Sequence, residues 1–361
     1  MVKLTKIDVY IIKRFLGAFA LALGLFTVII IVFDLSEKID DFMENSAPFS
    51  EVIFDYYVNW VPFLLNLFSP VFVFISVIFF TSKMAQNSEI IAMLAGGVSY
   101  RRLLRPYFIT SIFLALFSFS LSAWIIPHAD KTRVDFENTY IRDRTRYRLT
   151  GIKTQIAPGQ ILSMSNFNFS DSAGFKISLE HVENGELKSK LYADRLNWND
   201  TTQKWTLTKW WTREFADGNE ILTKGSTMDT MIAFNPEDFF RKNDDVQMFN
   251  LRELNEMIGL EEMRGTGNIF FYTTEKYKRF AMPFAIIILT IIGVSVASKK
   301  TRGGIGLNLG IGLLISFTFL VVFQFFLAYG SSGSMHPLIA VTIPNLIFGS
   351  IAFVLYRFAQ K

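Results

Sequence analysis

Charge-free runs long enough to cross a bilayer dominate this chain. Between Arg14 and Asp34 lie 19 uncharged residues, and between Asp55 and Lys83 lie 27, interrupted by Pro62, Asn66 and Pro70. Tyr107 to Ile126 adds 20, bracketed by Pro106 and Pro127, and Phe280 to Ser298 adds 19. The run of 54 from Gly303 to Tyr356 exceeds one crossing and is broken by YGSSGSMHP at 329–337, so it supplies two. A spanning helix needs roughly 20 apolar residues to cross about 30 Å of hydrocarbon. The runs therefore predict six transmembrane helices. Hydrophobic residues make up 51% of the 361, with 38 Phe, more apolar surface than a soluble core of this size hides. The first run is too long for a signal-peptide core and lacks a small-residue cleavage site, so it is expected to be retained.

Lys and Arg collect in cytoplasmic loops, so short loops report orientation. Lys3, Lys6, Lys13, Arg14, Lys83, Arg101, Arg102, Arg105, Lys299, Lys300, Arg302, Arg357 and Lys361 fall on one side, against only Asp8 and Glu89. The opposite loop, 34–55, holds Lys38 alone against seven carboxylates. Both termini are thus expected in the cytoplasm. Residues 127–279 are then outside, with 22 basic and 23 acidic side chains. The net charge of +4 is a topology signal and gives no support for nucleic-acid binding.

Within that outer segment, 152–234 reads as short strands. Asn184-Gly185 separates FKISLEHV from ELKSKLYADRLNW, NDTT leads into QKWTLTKWWTREF, and Ala216-Asp217-Gly218-Asn219 turns into EILTKGSTMDTMIAF. Spacing of this kind predicts an antiparallel sandwich or a rolled sheet, ending near Asn235-Pro236. NLRELNEMIGLEEMRG then reads as a helix with Asn250 as N-cap and Glu253 three residues on. In YIRDRTRYRL, Arg142, Arg144, Arg146 and Arg148 alternate. Two readings fit: a solvated helical extension of span three, or a strand whose face, through Arg142 and Arg146, meets phosphates. With no cysteine and three mutually isolated histidines, neither thiolate chemistry nor a metal centre is expected, and no cofactor is called for.

The stretch NSEIIAMLAGGVSYRRLLRP at 87–106 is too short to span and too apolar for a linker. Asn87 or Ser88 is placed to cap a helix, Glu89 suits its first turn, and Gly96-Gly97 suits its end. Ile90, Ile91, Met93 and Leu94 form an apolar stripe on about two turns, too few to persist alone in water. Either membrane or bundle covers the stripe, or it docks into a groove of another protein. The sequence holds no phosphate-binding loop of the form GxxxxGK followed by Ser or Thr, so an ATP-driven process would need a separate ATPase.

The layout of three spans, a large outer segment and three more spans, with SEIIAMLAGGVS between spans two and three, resembles the lipopolysaccharide-export permease family (LptF/LptG, also called YjgP/YjgQ). EKYKRFAMPF entering span four, SKKTRGGIG before span five and HPLIAVTIPNLIF opening span six agree with it. The resemblance implies an α-helical polytopic membrane protein with six transmembrane helices and an inserted all-β periplasmic jellyroll-like domain. Its parts would be 1–126, helices one to three with a coupling helix at 88–96; 127–279, the periplasmic β-domain with flanking helices; and 280–361, helices four to six.

It further implies a Gram-negative inner-membrane transport subunit with no catalytic site of its own. Such a subunit pairs with a homologous permease, sits on a dimer of a cytoplasmic ABC ATPase, and passes lipopolysaccharide from the outer leaflet to a periplasmic bridge of jellyroll proteins, one of them membrane-anchored. Ser88, Glu89, Ile90, Ile91, Met93, Leu94, Gly96 and Gly97 correspond to the coupling segment. Of the cations that G-type members carry at the outer end of span one, only Lys38 corresponds, in FDLSEKIDDF, and this leans toward the G type. Gly306 and Gly310 in GLNLGIG correspond to a lateral gate on span five, with ordinary helix packing the other reading; Asn66, Gln324 and Asn345 would line the cavity or bond across helices. A membrane-anchored enzyme is disfavoured because no Ser-His-Asp order, cysteine or metal cluster is present. Another ABC-linked lipid or lipoprotein exporter remains the alternative, although such permeases usually have four spans with the large domain after the first.

Overall fold

A computed structural model describes residues 5–141, 148–168, 171–216, 219–232, 243–265, 267–300 and 303–359. Six helices are long and apolar enough to cross a membrane. They are α1 (Lys6–Glu44), α2 (Phe49–Gln86), α4 (Tyr100–Tyr140), α6 (Asn268–Ala297), α7 (Gly304–Ser331) and α8 (Pro337–Ala359). Between α2 and α4 lies the short α3 (Glu89–Ala95), and α5 (Leu251–Arg264) follows the strands at the predicted place. The chain divides into two compact units, one of Met1–Phe136, Gln247–Leu251 and Phe270–Lys361, the other of Glu137–Val246 and Arg252–Ile269.

In the first unit, α2 and α6 form the central pair, because each feeds both apolar cores. One core joins Phe15 of α1, Val77 and Phe80 of α2, Ile90 of α3, Tyr107 and Leu114 of α4, and Val294 of α6. The other joins Phe74 and Ile78 of α2, Leu289 of α6, Phe319 of α7 and Phe348 of α8. Gly293 lets α6 approach closely: a Cβ there would stand 3.0 Å from Phe74 and Val77. Polar side chains tie helices together where lipid offers no hydrogen bonds, with Asn308 donating to Ser82 (2.9 Å), Ser118 to Asn66 (2.6 Å) and Asn345 to the carbonyl of Ala281 (3.0 Å).

The prolines expected to bracket span three lie inside α4 instead. A π-helical turn at Leu121–Ile125 immediately precedes Pro127. Such a turn shifts the carbonyl that the proline ring would otherwise strike, so the helix continues to Tyr140.

The second unit contains β1 (Arg148–Ala157), β2 (Gln160–Asn168), β3 (Ala173–Glu183), β4 (Glu186–Asn199), β5 (Lys204–Ala216) and β6 (Asn219–Thr230). They form one antiparallel sheet in sequence order. Of the two forms expected, the rolled sheet is the one present, and its described strands connect as a meander with no Greek-key crossing. The β3–β4 hairpin shows why: Asn184 (φ +53°) and Gly185 (φ +83°) both adopt the left-handed conformation that a two-residue turn matched to strand twist requires.

A crease crosses all six strands. The pairing register omits Gly151, Ser165, Lys176, Asp194, Lys209 and Ser226, one residue at the same level of each strand. Gly151 (φ +66°), Lys176 and Lys209 (both +51°) are left-handed there. An irregularity of this kind bends a strand and switches the side-chain phase. Accordingly the core takes Leu162 and Met164 before the crease but Phe167 after it, Leu191 and Ala193 but then Leu196 and Trp198, and Trp205 and Leu207 but then Trp210. Phe167 of β2 and Trp205 of β5 have ring centroids 6.3 Å apart. In a flat sheet three strand spacings would hold them roughly 14 Å apart. The bent sheet covers its own core, and Phe167, Ile177, Leu196 and Trp205 are fully buried. On the other face Lys190 pairs with Glu180 at 2.7 Å, and this hydrogen bond lowers the Glu180 pKa below the ordinary carboxylate value.

Candidate functional site

The short helix α3 is held at both ends by left-handed backbone. Ser88 precedes it in the left-handed conformation (φ +62°) and makes no side-chain capping bond, so the expected cap is absent. The left-handed backbone at Ser88 turns the chain sharply out of α2 instead. At the other end Gly97 adopts φ +87°, and the amides of Val98 and Gly97 bond the carbonyls of Met93 (3.1 Å) and Leu94 (3.1 Å). This paired closure is the reason glycine is needed there.

The stripe of four apolar residues divides. Ile90 is 1% exposed and joins the core of α1, α2, α4 and α6, and Met93 packs against the same core. Ile91 and Leu94 stay 50% and 39% exposed. Of the covers considered for the stripe, the chain's own bundle supplies one, and for Ile90 and Met93 only. At 3.6 residues per turn the four cover an arc of about 160°, with 93 and 90 along one edge and 94 and 91 along the other, so the chain's own bundle takes the first pair and leaves the second exposed. Glu89 accepts a hydrogen bond from the Tyr10 hydroxyl of α1 (3.0 Å). Two residues back along α1, Asp8 is gripped by Arg102 of α4 through both terminal nitrogens at 2.6 Å. Asp8 also caps the start of α1 through Thr5 (2.7 Å to its amide). The starts of α1, α3 and α4 are thereby joined by polar bonds.

At the far end of α1, Lys38 pairs with Asp34 (3.0 Å), hydrogen-bonds the Tyr56 hydroxyl, and lies over the rings of Tyr56 (4.7 Å) and Trp60 (5.3 Å). Asp34 is nearly buried, and its Oδ2 has no hydrogen-bond partner among the described residues. Lys38 is thus held within the chain by a carboxylate one helical turn away. Arg142 and Arg146 lie outside the described residues.

On α7, a Cβ added to Gly306 or Gly310 would meet nothing within 4 Å, whereas at Gly312 it would stand 2.4 Å from Ile78. Close packing inside this chain uses Gly312; Gly306 and Gly310 face away from it. Asn66 and Asn345 bond across helices, and Gln324 is exposed. Buried Glu275 and Arg279 of α6 cluster with half-buried Lys278 beside a cavity of about 30 Å³, which Asn66 and Ser122 also line. Arg279 donates to the carbonyl of Phe249 (2.7 Å). Their i, i+3, i+4 spacing in EKYKR was a usable signal. Tyr10 and Arg102 had none, since each meets its partner across 79 or 94 residues.

Among the described residues no cluster of His, Asp and Glu is placed to hold a metal. A comparison with curated proteins returns no match. The family model of the lipopolysaccharide export system permease LptF/LptG matches residues 9–357, almost the full length, and the chain belongs to that family.

Proposed function

We propose that this chain is one permease of an ABC-type transporter that takes lipopolysaccharide from the outer leaflet of the inner membrane and passes it through its β-domain to a periplasmic bridge. Family membership and six apolar helices already make it a multi-pass inner-membrane transport component. The observation that carries the finer reading is α3. It is anchored to the bundle by Ile90 and presents Ile91 and Leu94 outward, as a helix gripped by an external motor would. The motor is a separate dimeric ATPase, since the sequence has no nucleotide-binding loop of its own.

In this reading both termini and α3 are cytoplasmic and residues 127–279 periplasmic, as the loop charges support. Ser88 to Gly97 form the coupling segment, with Glu89 at its rim facing a basic residue of the ATPase. Gly306 and Gly310 lie on the gate toward a second, homologous permease, which their open surroundings support. Lys38, Arg142 and Arg146 meet substrate phosphates, Lys38 by exchanging Asp34 for a phosphate. Each acyl CH₂ drawn from the leaflet costs about 0.8 kcal/mol before it is sheltered again, so a multi-acyl lipid requires tens of kcal/mol of compensation. ATP hydrolysis and an apolar cavity together supply this. The test is co-purification in detergent followed by ATP-driven lipid release. An ATPase and a second permease are expected to accompany the chain, and Glu89→Lys is expected to abolish release while insertion continues. Purification of the chain without either partner refutes the reading.

A further inference from the structure

A groove of about 430 Å³ opens between α1 and α2 beside the start of α3. Lys13 and Arg14 of α1 and Lys83 of α2 line one end. Among the described residues none of the three has a carboxylate within ion-pair reach. Glu89, the single carboxylate lining the groove, already accepts from Tyr10 (3.0 Å) and from Asn87 (3.4 Å). Arg14 is itself steered by the Tyr10 ring, 5.3 Å from its guanidinium carbon.

Below the cations the lining turns apolar. Gly17, Leu21 and Phe79 continue it, and Leu21 and Phe79 are 66% and 41% exposed. Lys13, Gly17 and Leu21 follow one another at four-residue intervals, so a single strip of α1 runs from cation to hydrocarbon over about 12 Å. A Cβ at Gly17 would meet nothing within 4 Å, which leaves the floor open. A free anion needs only the cations, whereas a groove that is cationic at one end and apolar along its length matches an amphiphile with an anionic head.

We propose that this groove binds one anionic glycerophospholipid, its phosphate among Lys13, Arg14 and Lys83 and an acyl chain along Gly17, Leu21 and Phe79. The site is built by α1 and α2 of this chain together with Asn87 and Glu89 at the root of α3, and it does not rest on the transported lipid. A lipid seated there touches Tyr10 and Glu89, and so the root of α3.

Native mass spectrometry of the full chain in detergent, with phosphatidylglycerol or phosphatidylcholine added at equal mole fraction, tests this. Phosphatidylglycerol is expected to be retained at least tenfold more strongly. The combined change Lys13→Gln, Arg14→Gln and Lys83→Gln is expected to weaken its retention by about a hundredfold, three interfacial charges each contributing about fivefold. Gly17→Leu fills the floor with every charge kept and is expected to weaken retention at least tenfold. Equal retention of the two lipids, or undiminished phosphatidylglycerol in either variant, overturns the proposal. Displacement of phosphatidylglycerol by millimolar inorganic phosphate also overturns it, by marking a free-anion site. So does loss of a co-purifying protein from the triple variant while the lipid stays bound.

Discussion

Replacing Ile90 with Ala separates the two faces of α3. Ile90 is 1% exposed, and truncating an isoleucine so buried costs about 2–5 kcal/mol. The seven residues of α3 have too few internal bonds to persist without docking. The cost is therefore met locally: α3 leaves the bundle while α2 and α4, whose own core residues are untouched, remain folded. At about 1.4 kcal/mol per tenfold, amide protection over Ala92–Val98 should fall at least 30-fold. Ile91→Ala is the control, because a half-exposed side chain contributes within about 0.5 kcal/mol, or under threefold. Hydrogen exchange read by mass spectrometry on the full chain in nanodiscs measures both. Equal loss of protection in the two variants, or none in Ile90→Ala, refutes the division of the stripe into an anchored and a free face.

Three further outcomes follow from the geometry. Gly312→Leu drives a side chain into Ile78 and should lower the detergent melting temperature through an overpacking cost of about 1–3 kcal/mol, whereas Gly310→Leu should leave melting unchanged and impair only assembly with a second permease. Arg102→Ala leaves the Asp8 carboxylate without its cation and should lower the melting temperature; adding Asp8→Asn should recover part of the loss, and a double variant no more stable than the single one would contradict the pairing. Lys209→Gly should leave the β-domain as stable or more so, because it relieves a left-handed lysine, while Thr208→Gly one residue away should cost about 0.5–1 kcal/mol in tryptophan-monitored unfolding of the full chain.

The membrane half was legible because hydrocarbon excludes charge, so runs free of Asp, Glu, Lys and Arg mark the helices without any alignment. The bounds were less so. Pro106 and Pro127 read as brackets, yet both lie inside the helix, and the π turn at Leu121–Ile125 explains how it runs through Pro127. Local chemistry located α3 and its glycine closure, since those depend on neighbours in sequence. It did not show which of Ile90 and Ile91 is anchored, nor that Tyr10 meets Glu89, because both depend on the distant α1. In QKWTLTKWWTREF the alternation predicted a strand, and the adjacent Trp210 and Trp211 mark where that alternation breaks. That break is the crease, visible in sequence only as an irregular beat. Lys38 was legible as a residue; the stacked Tyr56 and Trp60 come from the next helix and left no trace in the local pattern.

The crease has a mechanical consequence. Resistance of a sheet to flexing comes from the paired bonds between its strands, and along Gly151, Ser165, Lys176, Asp194, Lys209 and Ser226 those pairings are already given up. The β-domain therefore possesses one soft axis, common to all six strands and perpendicular to them. Widening or narrowing the angle between its two halves changes the volume of the interior while every existing ladder stays intact. Such a sheet bends along that axis with no strand leaving its neighbour, behaving as a leaf spring does and not as a door.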